Sequence, residues 1–317
     1  METSYITPTE GPPVRLRPGK WPFLTITGGS TLLYYLVMKY TLLPWLSAPY
    51  SQFWYLWICL HIFGFTGCYL FTMYVYWILW KTQPSTVPEN WTPDREAIDP
   101  LSNDKKIRYC EKCEAWQPPR CYHCKICKRC VLMRDQHCPW MNGCIGFGNT
   151  KYYLLFLFSM INYLSLSMFI TASWIGLSVI GSDFETCYWN VNFNCWIITI
   201  ITIIPGIFFC LFLFFLIWQI QLVSINTTNQ EYNAYMELRD RNRLKIAGGM
   251  KWTDAEIERW PYDLPDPMDN FNQFLGPRFW YSPAYNQAVN DGTRFPLNEQ
   301  WKEQRNANRV SEQAELI

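Results

Sequence analysis

Four runs of apolar residues dominate the chain, at 22–46, 53–80, 152–180 and 195–223. A helix needs about 20 mostly apolar residues to cross roughly 30 Å of hydrocarbon, whereas a mean soluble helix has only about 11–12. All four runs exceed that need, so they predict four membrane-spanning helices. The first is the weakest, because it carries Gly28, Gly29 and Lys39, and a lysine there must snorkel or face other helices. The last contains Pro205 and Gly206, which membrane helices tolerate. A mean hydropathy of -0.10 conceals this segregation into apolar blocks and polar connections.

Charge orients the blocks. The connection at 81–151 carries twelve Lys or Arg, the first 21 residues carry three and the residues after Val223 carry eleven, while the short connections at 47–52 and 181–194 carry none. Basic residues collect on the cytoplasmic side, so both termini and the long central connection are expected there. The sequons at Asn90 and Asn226 then lie on the wrong side for glycosylation. Cys187 and Cys195 flank the second short connection and are a candidate disulfide. The net charge of only +1 argues against a dedicated nucleic-acid binder.

Eight of the thirteen cysteines lie between Cys110 and Cys144. They include C-x-x-C pairs at Cys110/Cys113, Cys124/Cys127 and Cys127/Cys130, with His123 and His137 in the same stretch. Structural zinc takes four N or S ligands in a closed tetrahedron. Ten candidates therefore fill two sites of three cysteines and one histidine, with two thiols over; spacing alone does not say which two. Two zinc ions are expected, because a connection this poor in aliphatic residues has little else to fold around.

The run Cys110-x2-Cys113, His123-Cys124-x2-Cys127-x2-Cys130, Asp135-Gln136-His137-Cys138-Pro139-Trp140 and Asn142-Gly143-Cys144-Ile145-Gly146 resembles the cysteine-rich domain of the DHHC palmitoyltransferases. A RING-type ubiquitin ligase is the competing zinc reading, but no closing C-x-x-C pair follows Cys144. The resemblance implies one zinc on Cys110, Cys113, His123 and Cys130 and another on Cys124, Cys127, His137 and Cys144. Cys121 and Cys138 are then the free thiols. The implied fold is an all-α integral membrane protein with four transmembrane helices and a cytoplasmic zinc domain between spans 2 and 3. Its divisions are an N-terminus at 1–21, helices 1 and 2 within 22–80, the zinc domain at 81–151, helices 3 and 4 within 152–223 and a C-terminal region at 224–317.

The resemblance also implies the chemistry. Cys138 takes a fatty acyl group from palmitoyl-CoA and passes it to cytoplasmic cysteines of membrane or membrane-associated proteins. The family uses the first histidine of its motif as the base, oriented by the preceding aspartate. Here Asp135 is kept and the base position holds Gln136, whose amide cannot take a proton at neutral pH. The alternative is a catalytically impaired membrane zinc protein that scaffolds or binds acyl groups.

Later matches are partial. The family's Thr-Thr-x-Glu motif reads here as Thr227-Thr228-Asn229-Gln230, with the acid replaced and Glu231 one residue late. Trp260-Pro261-Tyr262-Asp263, Asn270 and Phe274-Leu275-Gly276 resemble its C-terminal aromatic and asparagine motif, where Asn270 is the packing asparagine. Asp291-Gly292 and Phe295-Pro296 resemble an endoplasmic-reticulum branch of the family, which implies an endoplasmic-reticulum or Golgi membrane. Residues 104–151 hold ten Lys or Arg against four Asp or Glu, a balance that suits the phosphates of coenzyme A and anionic headgroups.

Overall fold

A computed structural model describes residues 20–43, 52–94, 107–181, 184–246, 260–276 and 291–303. The helices are α1 (Trp21–Val37), running into a π-helical turn at Met38–Leu42, then α2 (Gln52–Lys81), α3 (Thr150–Gly181), α4 (Phe184–Ser224), α5 (Asn229–Ile246) and α6 (Pro267–Leu275). Among the described residues three helices are long and apolar enough to cross a membrane, over Tyr55–Lys81, Thr150–Gly176 and Ile197–Ser224. Among the described residues the first apolar run forms the 17 residues of α1 and the π turn. α4 starts at Phe184, so most of the connection expected at 181–194 is helical. The side chains of Cys187 and Cys195, and hence their pairing, lie outside the described residues.

The chain divides into two compact units. One comprises Gly19–Lys81 and Tyr152–Trp218. Its helices are joined by aromatic stacking of Tyr34 on Tyr69 at 4.6 Å and of Phe65 on Tyr163 at 5.3 Å between centroids. Polar bonds reinforce the rings: the Tyr163 hydroxyl donates to the Ser30 carbonyl at 2.8 Å, and Thr72 donates to the Ser159 carbonyl at 3.2 Å. Such interhelical hydrogen bonds contribute about 0.6–2 kcal/mol each in lipid, where no aqueous partner competes. Ile203, Ile207, Leu211 and Phe214 on α4 are exposed, as suits a helix whose outer face meets hydrocarbon.

The other unit gathers Thr82–Lys151 and Gln219–Ile317. Its central part corrects the all-α expectation, because it is built of three antiparallel hairpins: β1/β2 (Arg108–Cys110, Ala115–Gln117), β3/β4 (Tyr122–Cys124, Arg129–Val131) and β5/β6 (Gln136–Cys138, Gly143–Ile145). Strands of three residues are too short to show an alternating pattern in the sequence, and they bury no continuous apolar face. Each element recurs 14 residues later, and so does the register, with Arg108↔Gln117, Tyr122↔Val131 and Gln136↔Ile145 closing the three ladders. The four-residue turns are also equivalent: Glu114, Lys128 and Asn142 occupy the same last place and all have positive φ.

The hairpins are fastened to the chain on either side. Ser85 donates to the Phe147 carbonyl and accepts from the Leu132 amide. Asn149 accepts from the Gly146 amide and donates to the Cys144 carbonyl. A Cβ at Gly146 would stand 2.9 Å from the Leu132 carbonyl oxygen, so this approach requires glycine. Cys121, Leu132, Met133 and Phe147 form a small buried core beside the first cysteine cluster.

Candidate functional site

The repeat places two clusters of ligand atoms. In each, the end of a strand and the turn after it supply one cysteine apiece, and the next hairpin supplies a histidine and a cysteine that face each other across its strands. Cys110 and Cys113 meet the His123↔Cys130 pair, and Cys124 and Cys127 meet the His137↔Cys144 pair. Within each set the ligand atoms lie within 4.8 Å of one another. His123 Nδ1 is 3.5 and 3.2 Å from the Cys110 and Cys113 sulfurs. His137 Nδ1 is 3.7, 3.3 and 3.8 Å from those of Cys124, Cys127 and Cys144. Zinc bonds of about 2.3 Å to sulfur and about 2.0 Å to nitrogen, at tetrahedral angles, put donors about 3.5–3.8 Å apart. Both clusters therefore fit and can hold zinc.

The donor chemistry agrees. Burial, aided by the positive charges of Lys112 and Arg134, lowers His123 from its ordinary value, which favours the neutral ring a metal needs. Gln117 Nε2 donates to the Cys130 sulfur at 3.3 Å, and the Cys127 amide donates to that of Cys124 at 3.4 Å. Cys121 belongs to neither cluster and is fully buried in the apolar core.

Cys138 also lies outside both clusters, at the end of β5 beside His137. Successive side chains of a strand point to opposite faces, so His137 turns to its cluster while Gln136 and Cys138 share the other face. Cys138 is only partly buried. Burial pushes its thiol up from the ordinary value, opposed by the nearby backbone N–H groups of Trp140 and Met141.

Asp135 is buried just ahead of this strand. Its Oδ1 accepts from the Asn229 amide at 2.6 Å and from Asn229 Nδ2 at 2.9 Å, and its Oδ2 accepts from Gln219 Nε2 at 2.8 Å. Burial raises its carboxyl from the ordinary value, and these donors oppose the rise. The aspartate thus joins the third hairpin to the end of α4 and the start of α5. Nothing in the sequence pattern singled out Gln219, near the end of a span, and Asn229 entered only as the variable place of the Thr-Thr-x-Glu motif, although both are partners of Asp135.

Glu231, read from the sequence as one residue late, is the working acid of its segment. Its carboxylate accepts from the Thr228 amide at 2.9 Å, while the Thr228 hydroxyl accepts from the Glu231 amide at 3.2 Å, a reciprocal cap on α5. The same carboxylate takes two bonds from Arg120, at 2.7 and 2.9 Å, and both side chains are fully buried. Arg120 Nη1 also donates to Asn226 Oδ1 at 2.8 Å, and its guanidinium lies over the rings of Tyr262 and Phe295 at 4.5 and 4.8 Å. Asn226 is therefore a buried structural residue, with its Nδ2 on the Tyr262 carbonyl. Asn270 donates to the Ser224 carbonyl and to Asp263 and accepts from the Leu264 amide, so it packs the C-terminal segment against the end of α4.

The DHHC palmitoyltransferase family model matches residues 103–236, which hold both clusters, Cys138 and the Arg120–Glu231 pair. The chain is 31% identical over 253 residues to probable protein S-acyltransferase 14 of Arabidopsis thaliana, covering 72% of this chain and 74% of the relative. It is 32% identical over 195 residues to palmitoyltransferase ZDHHC15A of Danio rerio, covering 61% and 52%. A third similarity, to palmitoyltransferase ZDHHC2 of Mus musculus, reaches 55% over 51 residues, covering 16% and 14%. With the hairpins, the two clusters and these relatives in agreement, the chain belongs to the DHHC palmitoyltransferase family and is an enzyme, a protein S-acyltransferase.

Proposed function

We propose that the chain transfers a palmitoyl group from palmitoyl-CoA to cytoplasmic cysteines of membrane proteins through an acyl-Cys138 intermediate. The observation that carries this reading is that Cys138 is a thiol outside both clusters, partly exposed, at the end of a strand whose neighbour His137 is committed to one of them. The Cys138 sulfur attacks the thioester carbonyl, its bond to the acyl carbon forms, the bond to the coenzyme A sulfur breaks, and the thiol proton leaves with coenzyme A. The substrate thiol then attacks the acyl-enzyme and returns Cys138. Each step exchanges one thioester for another, so the chemistry requires a carrier rather than a driving force.

Zinc on Cys110, Cys113, His123 and Cys130, and on Cys124, Cys127, His137 and Cys144, supplies folding energy that keeps the hairpins in register. Gln136 shares the face of Cys138 but takes no proton, and Asp135 holds the start of the strand. Four spans, with cytoplasmic termini and only the connections near 47–52 and 181–194 lumenal, put Cys138 on the acyl-CoA side, in an endoplasmic-reticulum or Golgi membrane. The divisions 1–21, 22–80, 81–151, 152–223 and 224–317 follow from that topology.

Hydroxylamine-sensitive labelling of the purified protein by radiolabelled palmitoyl-CoA tests this reading. Cys138→Ala is expected to abolish labelling, and Gln136→His to raise its rate by up to about 10²–10⁴ by restoring a base. Absence of labelling in both the parent and Gln136→His, with zinc retained, would replace acyl transfer by the scaffold reading.

A further inference from the structure

The 14-residue repeat does not end with the second metal cluster. Cys110, Cys124 and Cys138 occupy one place in the three hairpins, the last residue of the first strand. The turn that follows holds Cys113 in the first hairpin, Cys127 in the second and Met141 in the third, and each turn closes on a residue with positive φ: Glu114, Lys128 and Asn142. In the second hairpin the amide of the residue three along, Cys127, donates to the Cys124 sulfur. In the third, Met141 holds the place three residues past Cys138, in a turn of the same length between strands of the same register. The backbone of a metal-binding turn is thus repeated around Cys138.

The remaining ligands are what the third turn lacks. A histidine follows Cys110 and Cys124 by 13 residues, at His123 and His137. The corresponding place after Cys138 is Lys151, and where the facing cysteine would come next the chain has Phe158. Both lie in α3, so a helix replaces the fourth hairpin. Met141 itself is buried.

We propose that Cys138 stands in the first-ligand place of a third metal-binding turn, and that Met141, in the second-ligand place, is the residue that keeps this cysteine free of thiophilic ions and open to an acyl donor. The turn gives the sulfur the fixed position of a metal ligand, while the thioether side chain and the missing third and fourth donors withhold the metal. The proposal rests on the acyl-Cys138 reading for its catalytic meaning, but its geometric content stands apart from it.

Met141→Cys tests it, with trivalent phenylarsenic as the probe. Two S–As bonds form, two As–O bonds break and the thiol protons leave in water, a reaction that needs two thiols at the spacing of one turn. The full-length variant is expected to keep two zinc ions and to take up one arsenic per chain, resistant to a monothiol and released by a dithiol. Its palmitoyl labelling should fall at least tenfold with arsenic bound and recover on release. Met141→Leu should take up no arsenic and label within about threefold of the parent.

Capture of no arsenic by zinc-replete Met141→Cys would overturn the proposal. So would loss of zinc from that variant, since Cys113 and Cys127 fill the same place in the sibling turns. A tenfold slowing in Met141→Leu would do so as well, by making the methionine necessary in itself. If the parent does not label, the acyl-transfer reading fails, and arsenic uptake still decides the geometry of the turn.

Discussion

The first and third hairpins are the two ends of one array, and each lacks a different half of a metal site. The first has the cysteine turn, but its cross-strand places hold Tyr109 and Trp116, which meet edge to face at 5.1 Å and are half exposed. The third has the cross-strand pair, but its turn holds Cys138 with Met141. On the same backbone, an aromatic pair simply finishes the array, whereas a surviving cysteine leaves a positioned thiol. The difference lies in which members of the ligand set each hairpin holds.

The largest effect that would break this comparison comes from the metal clusters themselves. Structural zinc contributes about 10–16 kcal/mol of folding free energy in zinc-finger peptides, so Cys113→Ser and Cys127→Ser should each reduce zinc below two per chain by elemental analysis. The second cluster includes His137, next to Cys138, so Cys127→Ser should abolish acyl labelling. Cys113→Ser, acting one hairpin away, should leave the smaller defect of the two. Equal loss in both would mean that the array folds as one unit.

Next in size is the buried ion pair. Glu231→Gln leaves Arg120 without its carboxylate, an error that costs about 3–5 kcal/mol for a buried pair; the midpoint of denaturant unfolding of the purified protein should fall accordingly. Asn270→Ala removes hydrogen bonds to Ser224, Asp263 and Leu264 and should cost about 1–3 kcal/mol in the same assay. Gln219→Leu withdraws one donor from Asp135, and labelling should slow about tenfold, since small displacements of a positioned group cost up to about 10² in rate. Smallest is Trp116→Thr at the aromatic end, expected to lose only about 0.2–1 kcal/mol and to leave labelling within twofold.

Much of this was legible in the sequence where physics forces a pattern. Long apolar runs foretell α2, α3 and α4, and cysteine and histidine spacing foretells two sets of four ligands. The first run is harder to read because glycines and Lys39 dilute it. The hairpins escaped notice because metal ligands, not alternating apolar residues, hold three-residue strands together. Their 14-residue period was nonetheless present in the spacing of Cys110, Cys124 and Cys138. Glu231 was misread because its role depends on Arg120, 111 residues away, and no local rule connects them. Asp135 was expected to orient its neighbour, yet its visible partners come from Gln219 and Asn229.

The distance between Arg120 and Glu231 also sets an order of assembly during translation. A ribosome adding about 5–20 residues per second delivers the carboxylate about 6–22 s after the guanidinium. Throughout that interval the nascent hairpins carry a cation that the finished protein seals from water, and two further apolar helices must be made before its partner arrives. The unit that holds the hairpins therefore reaches its final packing only after α4 has been synthesised. A stop codon ahead of residue 231 leaves this arginine as an exposed mark of incompleteness, available to the chaperones and proteases that patrol newly made membrane proteins.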